Sequence, residues 1–465
     1  MLRSPDHQSL PLRPAHPRPA QLSPTWAGVS PFPSGLLVPP AHGAETVQLA
    51  VLALMVFSGA FVVIDIAYNV MSLLAIGLFV LLGLRVDRAN MPLILFLFVF
   101  NIAGLIALQP HLDYDESREF MIGTCFVATT AIFFALTLNQ NALQRLNVMK
   151  WGLIAGAFVA SIIGIIGWRN IGGLGSLFTM HEGRVSGTFR DPNVLGSFLV
   201  LPALYLMHDF LRFPQLRLLR AALAAPILLA LFLTLSRGSW AALVIGMLVL
   251  VSLMFITARQ DAMRARITLL AMLAFVGLVL AFAALLSIDS IATVFQDRFV
   301  LQKDYDSGPS GRFGNQLRAL PKLLELPFGY GPNRHGLFFP ENPHNTYLMA
   351  FSSYGWLGGI TFLGFIVTTV VISWRTVLLR TPFQNHAVVI FAGLIPHLVQ
   401  NFQIDTDRWR HLFMIYGLSW GLAAISGRWL GEYRAYAHHA YRQAQVWRKP
   451  QEASSGGGVA SPSLG

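Results

Sequence analysis

Twelve stretches of 14 to 20 residues in this chain contain no Asp, Glu, Lys or Arg and are almost wholly apolar. They run approximately 47–64, 70–84, 91–108, 120–138, 151–168, 194–207, 221–235, 239–257, 267–286, 356–374, 386–402 and 411–426. A helix needs roughly 20 apolar residues to cross a bilayer, because hydrocarbon offers no partner to an unpaired backbone group. The pattern predicts an all-α polytopic membrane protein with about 12 transmembrane helices. Composition agrees: charged residues make up 12% of the 465, about half the share of an ordinary soluble domain. That excludes a soluble enzyme, which needs far more charge to cover its surface. Cys125 is the only cysteine, so the chain forms no internal disulfide and no cysteine-based zinc site.

The loops between the stretches test this count, since cytoplasmic loops carry an excess of Lys and Arg. With the N-terminus inside, the inner set holds 20 of the 33 basic residues and seven acidic ones. The outer set holds 13 basic and 14 acidic residues. The net charge of +11 is therefore a topology signal, with both termini cytoplasmic, and requires no nucleic acid. Residues 1–45 hold ten of the 26 prolines and read as a disordered Pro-rich cytoplasmic extension. Residues 46–430 form the multi-pass membrane domain, and 431–465 a cytoplasmic tail.

Two outer loops stand out, about 169–193 and about 287–355. The second lies between the ninth and tenth spans and reads as a long folded periplasmic loop, since it carries aromatics, turn prolines and a helical run near Phe313–Leu326. Arginine is the notable residue of this face. Arg184 and Arg190 bracket Val-Ser-Gly-Thr-Phe; Arg237 lies in the tight turn Leu235-Ser-Arg-Gly-Ser-Trp240, where charge near hydrocarbon is costly. Arg312 follows Gly-Pro-Ser-Gly, with Arg318 six residues later. A guanidinium stays charged and can hold two phosphate oxygens at once, so a converging set suits a membrane-anchored diphosphate. Each arginine also has a bland use, pairing with an outer carboxylate or a lipid headgroup.

His344, in Pro343-His-Asn-Thr-Tyr347 just before the chain re-enters the membrane, is the candidate for proton transfer. His335, in Gly331-Pro-Asn-Arg-His-Gly336, competes with it. His111 and His181 are weaker candidates, and His397 lies within a span as a packed residue. No His, Asp or Glu pair has helical metal spacing, so no metal site is expected, and no cofactor. The pieces Gly172–Gly175 and Gly329–Gly331 follow no strand and do not read as nucleotide loops.

Taken in order, these motifs resemble the O-antigen ligase-like family of O-antigen ligases and related polysaccharide polymerases. Arg184-Val-Ser-Gly-Thr-Phe-Arg-Asp-Pro-Asn193 resembles its first motif and Leu235–Trp240 its short arginine turn. Gly311-Arg312, Pro327–Gly331, His344–Leu348 and Tyr354-Gly-Trp-Leu-Gly358 resemble its long outer loop and the following span. The resemblance covers about 180–360. It departs at Gln316, where an aromatic residue is common, and at Tyr354, where an acidic one is common.

The resemblance implies a metal-independent inverting glycosyltransferase at the outer face of a bacterial inner membrane. Its donor would be an undecaprenyl-diphosphate-linked glycan. Its acceptor would be the lipid A-core sugar in a ligase, or a growing polysaccharide in a polymerase. Arg312 and His344 would be catalytic. Arg184, Arg190, Arg237, Arg318, His335 and Asn345 would bind substrate. The alternative is a solute transporter of two six-span halves. The short inner loop at about 208–220 and the scarcity of charges within the spans disfavour it.

Overall fold

The computed structural model describes residues 42–180, 183–287, 289, 292–293, 312–339 and 344–454. Expectations for residues 1–41, for His181, and for 294–311 and 340–343 within the long loop lie outside these residues. The fold is helical, and each of the twelve apolar stretches falls essentially on one helix. These are α1 (His42–Ser58), α2 (Asp65–Leu81), α3 (Met91–Leu108), α4 (Asp115–Thr137) and α5 (Ala142–Trp168). A four-residue turn, α6 (Gly175–Phe178), precedes α7 (Pro192–Arg212), α8 (Arg217–Leu233), α9 (Arg237–Thr257) and α10 (Asp261–Leu286). The long loop contributes α11 (Arg312–Glu325); α12 (Thr346–Leu378), α13 (Gln384–Gln400) and α14 (Arg410–Ser454) complete the chain. Seven of these, α3, α4, α5, α7, α9, α10 and α12, are long and apolar enough to cross a membrane. The protein is an all-α polytopic membrane protein. Among the described residues, strand occurs only as the two-residue antiparallel pair β1 (Thr179–Met180) and β2 (Arg184–Val185).

Helices that are neighbours in space are often distant in sequence: α3 packs on α12, α4 on α14, α9 on α13 and α1 on α5. Small residues make the closest seams, as expected where lipid supplies no hydrophobic drive between helices. A Cβ built on Gly417 of α14 would lie 2.3 Å from the Ala131 carbonyl oxygen of α4, and one on Gly421 would lie 2.9 Å from that of Ala135. Gly152 and Gly156 of α5 approach the backbone of α1 in the same way, at Ala53 and Phe57. Gly417→Leu must therefore push two helices apart and should cost about 1–3 kcal/mol. Thermal melting in detergent, followed by size-exclusion fluorescence, should show a lower midpoint. Gly427→Leu, with nothing within 4 Å of its Cβ position, should melt like wild type.

Several charges that sequence assigns to loops lie within the helix bundle, paired. Glu45 falls in the first turn of α1, and its carboxylate accepts from Arg145 Nε at 3.2 Å and Nη2 at 3.0 Å. Arg145 also donates to the Thr137 carbonyl and to Gln48 and lies 4.9 Å from the Phe79 ring centre. Lys150 is paired with Asp209, which also faces His208 Nδ1 at 3.2 Å. These pairs let α5 continue as helix nine residues before the charge-free stretch begins, from Ala142 rather than 151. A buried charge is tolerated where its partner is close and well aligned.

The described part of the long loop is folded. α11 and the following turns pack Ala319, Leu323, Tyr330 and Phe339 against Leu348 of α12, a small cluster apart from the main core. α12 itself is broken at Gly355, whose φ of 68° and ψ of −170° suit only glycine. The break separates a buried segment, 346–354, from the longer run 356–378.

Candidate functional site

Four segments distant in sequence meet at the ends of α7, α9, α12 and α13. The first begins at Arg184 on β2. Its Nε donates to the Thr234 carbonyl at 2.9 Å and its Nη2 to Asn193 Oδ1 at 2.9 Å. Asn193 stands at the start of α7, where the Asp191 carboxylate caps the helix by accepting from the Asn193 N–H at 2.6 Å, with Pro192 in the first turn. The second segment is the turn into α9. Leu235 has φ 51°, and Ser236 caps the helix by accepting from the Ser239 N–H at 3.3 Å. Arg237 is the first residue of α9, at the end where backbone N–H groups and the helix dipole favour an anion.

The third segment is the turn between α13 and α14. Gln400 donates to Ser197 Oγ at 2.8 Å, and Ser197 and Ser239 both donate to the Asn193 carbonyl, at 2.9 and 3.3 Å. Gly238 borders the same turn: its Cβ position lies 3.6 Å from Gln400 Nε2 and 4.0 Å from Gln403 Oε1. The fourth segment is the start of α12. Thr346 N–H donates to the Asn401 carbonyl at 2.7 Å, and Thr346 Oγ1 to the Ile404 carbonyl at 2.9 Å. These bonds set His344 and Asn345 beside Asp405. The Asp405 carboxylate accepts from the Asn345 N–H at 3.1 Å and lies 3.4 Å from His344 Nδ1. Asn345 in turn caps α12 by accepting from the Leu348 N–H at 3.1 Å.

The two candidate histidines differ sharply. The His344 side chain is 43% exposed, with φ 44° at its backbone. His335 is 1% exposed, stacked on Phe339 at 4.9 Å. Burial pushes the His335 imidazole down to about 4, against the opposing pull of Asp405, so it is neutral at pH 7. His335 therefore belongs to the interior of the loop's small cluster, and His344 to its accessible rim. Arg318 joins the other side of that cluster, with its guanidinium carbon 5.6 Å from the Phe339 ring centre. Arg312 opens α11. Arg190 is exposed, immediately before the Asp191 cap. His111 packs against Gly331, and burial together with Arg334 lowers its basicity. His397 is packed within α13, its Nδ1 2.7 Å from the Gly393 carbonyl oxygen.

The turn between α13 and α14 holds residues that motif reading passed over. Asp405 organises His344 and Asn345, and Asp407 beside it is pushed up to about 6 by burial, with Arg408 opposing. A signal existed in the sequence: charges in a short turn between two apolar stretches, the argument that singled out Arg237. Tyr354 has a packing explanation. Its hydroxyl bonds Thr124 Oγ1 of α4 at 2.8 Å, and its ring lies 4.3 Å from that of Phe100 on α3. Among the described residues no group of three or more His, Cys, Asp or Glu could hold a metal ion.

Residues 222–363 match the family model described as O-Antigen ligase. Over that segment the chain is similar to O-antigen ligases. The matched segment contains Arg237, Arg312, Arg318, His335, His344 and Asn345; Arg184 and Arg190 lie before it. No curated protein matches the chain. That match, together with the apolar helices, supports a multi-pass membrane protein that processes glycans.

Proposed function

We propose that this O-antigen ligase-like chain transfers a glycan from undecaprenyl diphosphate to an acceptor sugar hydroxyl at the outer face of the bacterial inner membrane. The distribution of basic residues among the loops, read as twelve spans with both termini cytoplasmic, supports that face for the site. The observation that carries the reading is the joint hold of Asp405 on His344 and Asn345, in a turn that borders Gly238, next to Arg237.

The donor already carries a good leaving group, so the protein has two tasks: to neutralise diphosphate charge and to align one hydroxyl. Arg184, Arg237 and Arg312, with the N-terminus of α9, bind the diphosphate, while Arg190, Arg318 and Asn345 extend the binding surface toward the glycan. The acceptor oxygen attacks the anomeric carbon from the side opposite the diphosphate. As the new C–O bond forms, the bond to the phosphate oxygen breaks, and the diphosphate leaves with the electron pair. The acceptor proton passes to His344 Nε2, the acceptor nitrogen of the tautomer whose Nδ1–H faces Asp405. His335, buried and weakly basic, supports the loop. Direct attack inverts the anomeric carbon, and no step calls for a metal.

Purified protein in liposomes, given undecaprenyl-diphosphate glycan and an acceptor glycan, should form a new glycosidic bond of inverted configuration. Mass and NMR analysis of the product check this. Intact donor after prolonged incubation, with uptake of a labelled solute instead, would replace the transferase by the transporter. The acceptor class follows from a deletion strain: unligated long lipid-linked chains mark a ligase, and single repeat units mark a polymerase.

A further inference from the structure

The helix α11 is apolar on two faces. One face, with Ala319 at 0% and Leu323 at 5% exposure, packs into the loop's own cluster. On the other, Leu317, Leu320 and Leu324 are 70%, 53% and 69% exposed. At about 100° per residue these three fall within roughly 60° of one another, with Lys322 on the opposite side of the helix. Phe328, just past the helix, is 67% exposed. A single exposed leucine is ordinary, but a continuous stripe marks a surface that something covers.

The surroundings of the stripe say what covers it. Trp356 donates its indole N–H to the Leu323 carbonyl at 2.9 Å and its backbone N–H to the Pro327 carbonyl at 2.9 Å. Trp356 is the first residue after the Gly355 break, where the run 356–378 begins. That run is itself apolar and outward-facing: Leu357, Ile360 and Val367 are 50%, 59% and 62% exposed. The α11 stripe is thus tied to the end of a membrane-crossing segment, at a tryptophan, the residue type enriched at headgroup level. Lys322, on the far side, lies 5.3 Å from the Phe338 ring centre and 3.9 Å from Glu325, away from the apolar stripe.

We propose that α11 is an interfacial helix. It lies in the plane of the bilayer with Leu317, Leu320, Leu324 and Phe328 among the outermost acyl-chain carbons of the leaflet at the N-terminal end of the 356–378 run. Lys322, on the opposite side and 42% exposed, faces away from the lipid. This is the arrangement of an amphipathic helix held at a lipid surface, and it does not depend on the glycan-transfer reading. It holds the loop that carries His335 and Arg318 at headgroup depth.

The test uses single cysteines at 317, 320, 324 and 322 in a Cys125→Ser background, each carrying a fluorophore. The protein is reconstituted in phosphatidylethanolamine–phosphatidylglycerol vesicles. Lipids with a nitroxide near the headgroup should quench the labels at 317, 320 and 324 several-fold more than aqueous iodide does, and the label at 322 should show the reverse. Iodide quenching at 317, 320 and 324 equal to that at 322 would overturn the proposal in favour of a solvated stripe. Protection of the three from both quenchers would overturn it in favour of a second copy of the chain.

Discussion

Replacing His344 by alanine is expected to lower the rate of glycan transfer by about 10²–10⁴-fold, the usual weight of a positioned general base, while the protein still inserts and folds. The imidazole is 43% exposed, so alanine empties little buried volume, and folding and activity should separate. Asp405→Asn should cost less, because an amide still accepts the Asn345 N–H but cannot serve the imidazole as a carboxylate does. The double variant is the decisive one. If Asp405 acts through His344, then Asp405→Asn in the His344→Ala background should cost almost nothing further. A merely structural Asp405 would give additive losses. Single-turnover rates for the four proteins, on equal amounts of monodisperse protein, check both expectations.

Arg237→Ala should slow transfer by about 10²–10³-fold, the range seen when one preorganised donor to a developing anion is removed. Arg237 opens α9, so its charge adds to the positive end of the helix dipole at one place, and alanine leaves only the dipole. Arg237→Lys keeps the charge but loses the two-pronged geometry, so it should recover only part of the loss. Initial rates at saturating donor measure the effect. Arg184→Ala is a mixed case, since that guanidinium also ties β2 to the Thr234 carbonyl and to Asn193. Its loss should lower thermal stability as well as rate.

The positions of the helices were written in the sequence because hydrocarbon enforces them: α3 occupies 91–108 both as an apolar stretch and as a helix. Their ends were less legible. Arg145 and Lys150 look like loop residues until Glu45 and Asp209 are found beside them, and those partners lie on other helices. Of the site, the arginines stood out because topology leaves the outer face the fewer basic residues, and His344 because it stands just before the chain re-enters the membrane. Asp405 did not, because its role comes from a residue pair sixty positions apart, 345 and 405, that only the packing of α12 against the α13–α14 turn creates. Sequence favoured His344 over His335 only by its place just before the chain re-enters the membrane, since both sit in polar loop segments. Burial of His335 beneath Phe339 separates them.

The central claim is that one chain moves a glycan off a lipid diphosphate with His344 and an arginine set. It is met most directly by measuring transfer from undecaprenyl-diphosphate glycan in liposomes for wild type, His344→Ala and Arg237→Ala side by side. Wild type should give product, and either variant at most about 1% of that rate. Full activity in both variants would contradict it.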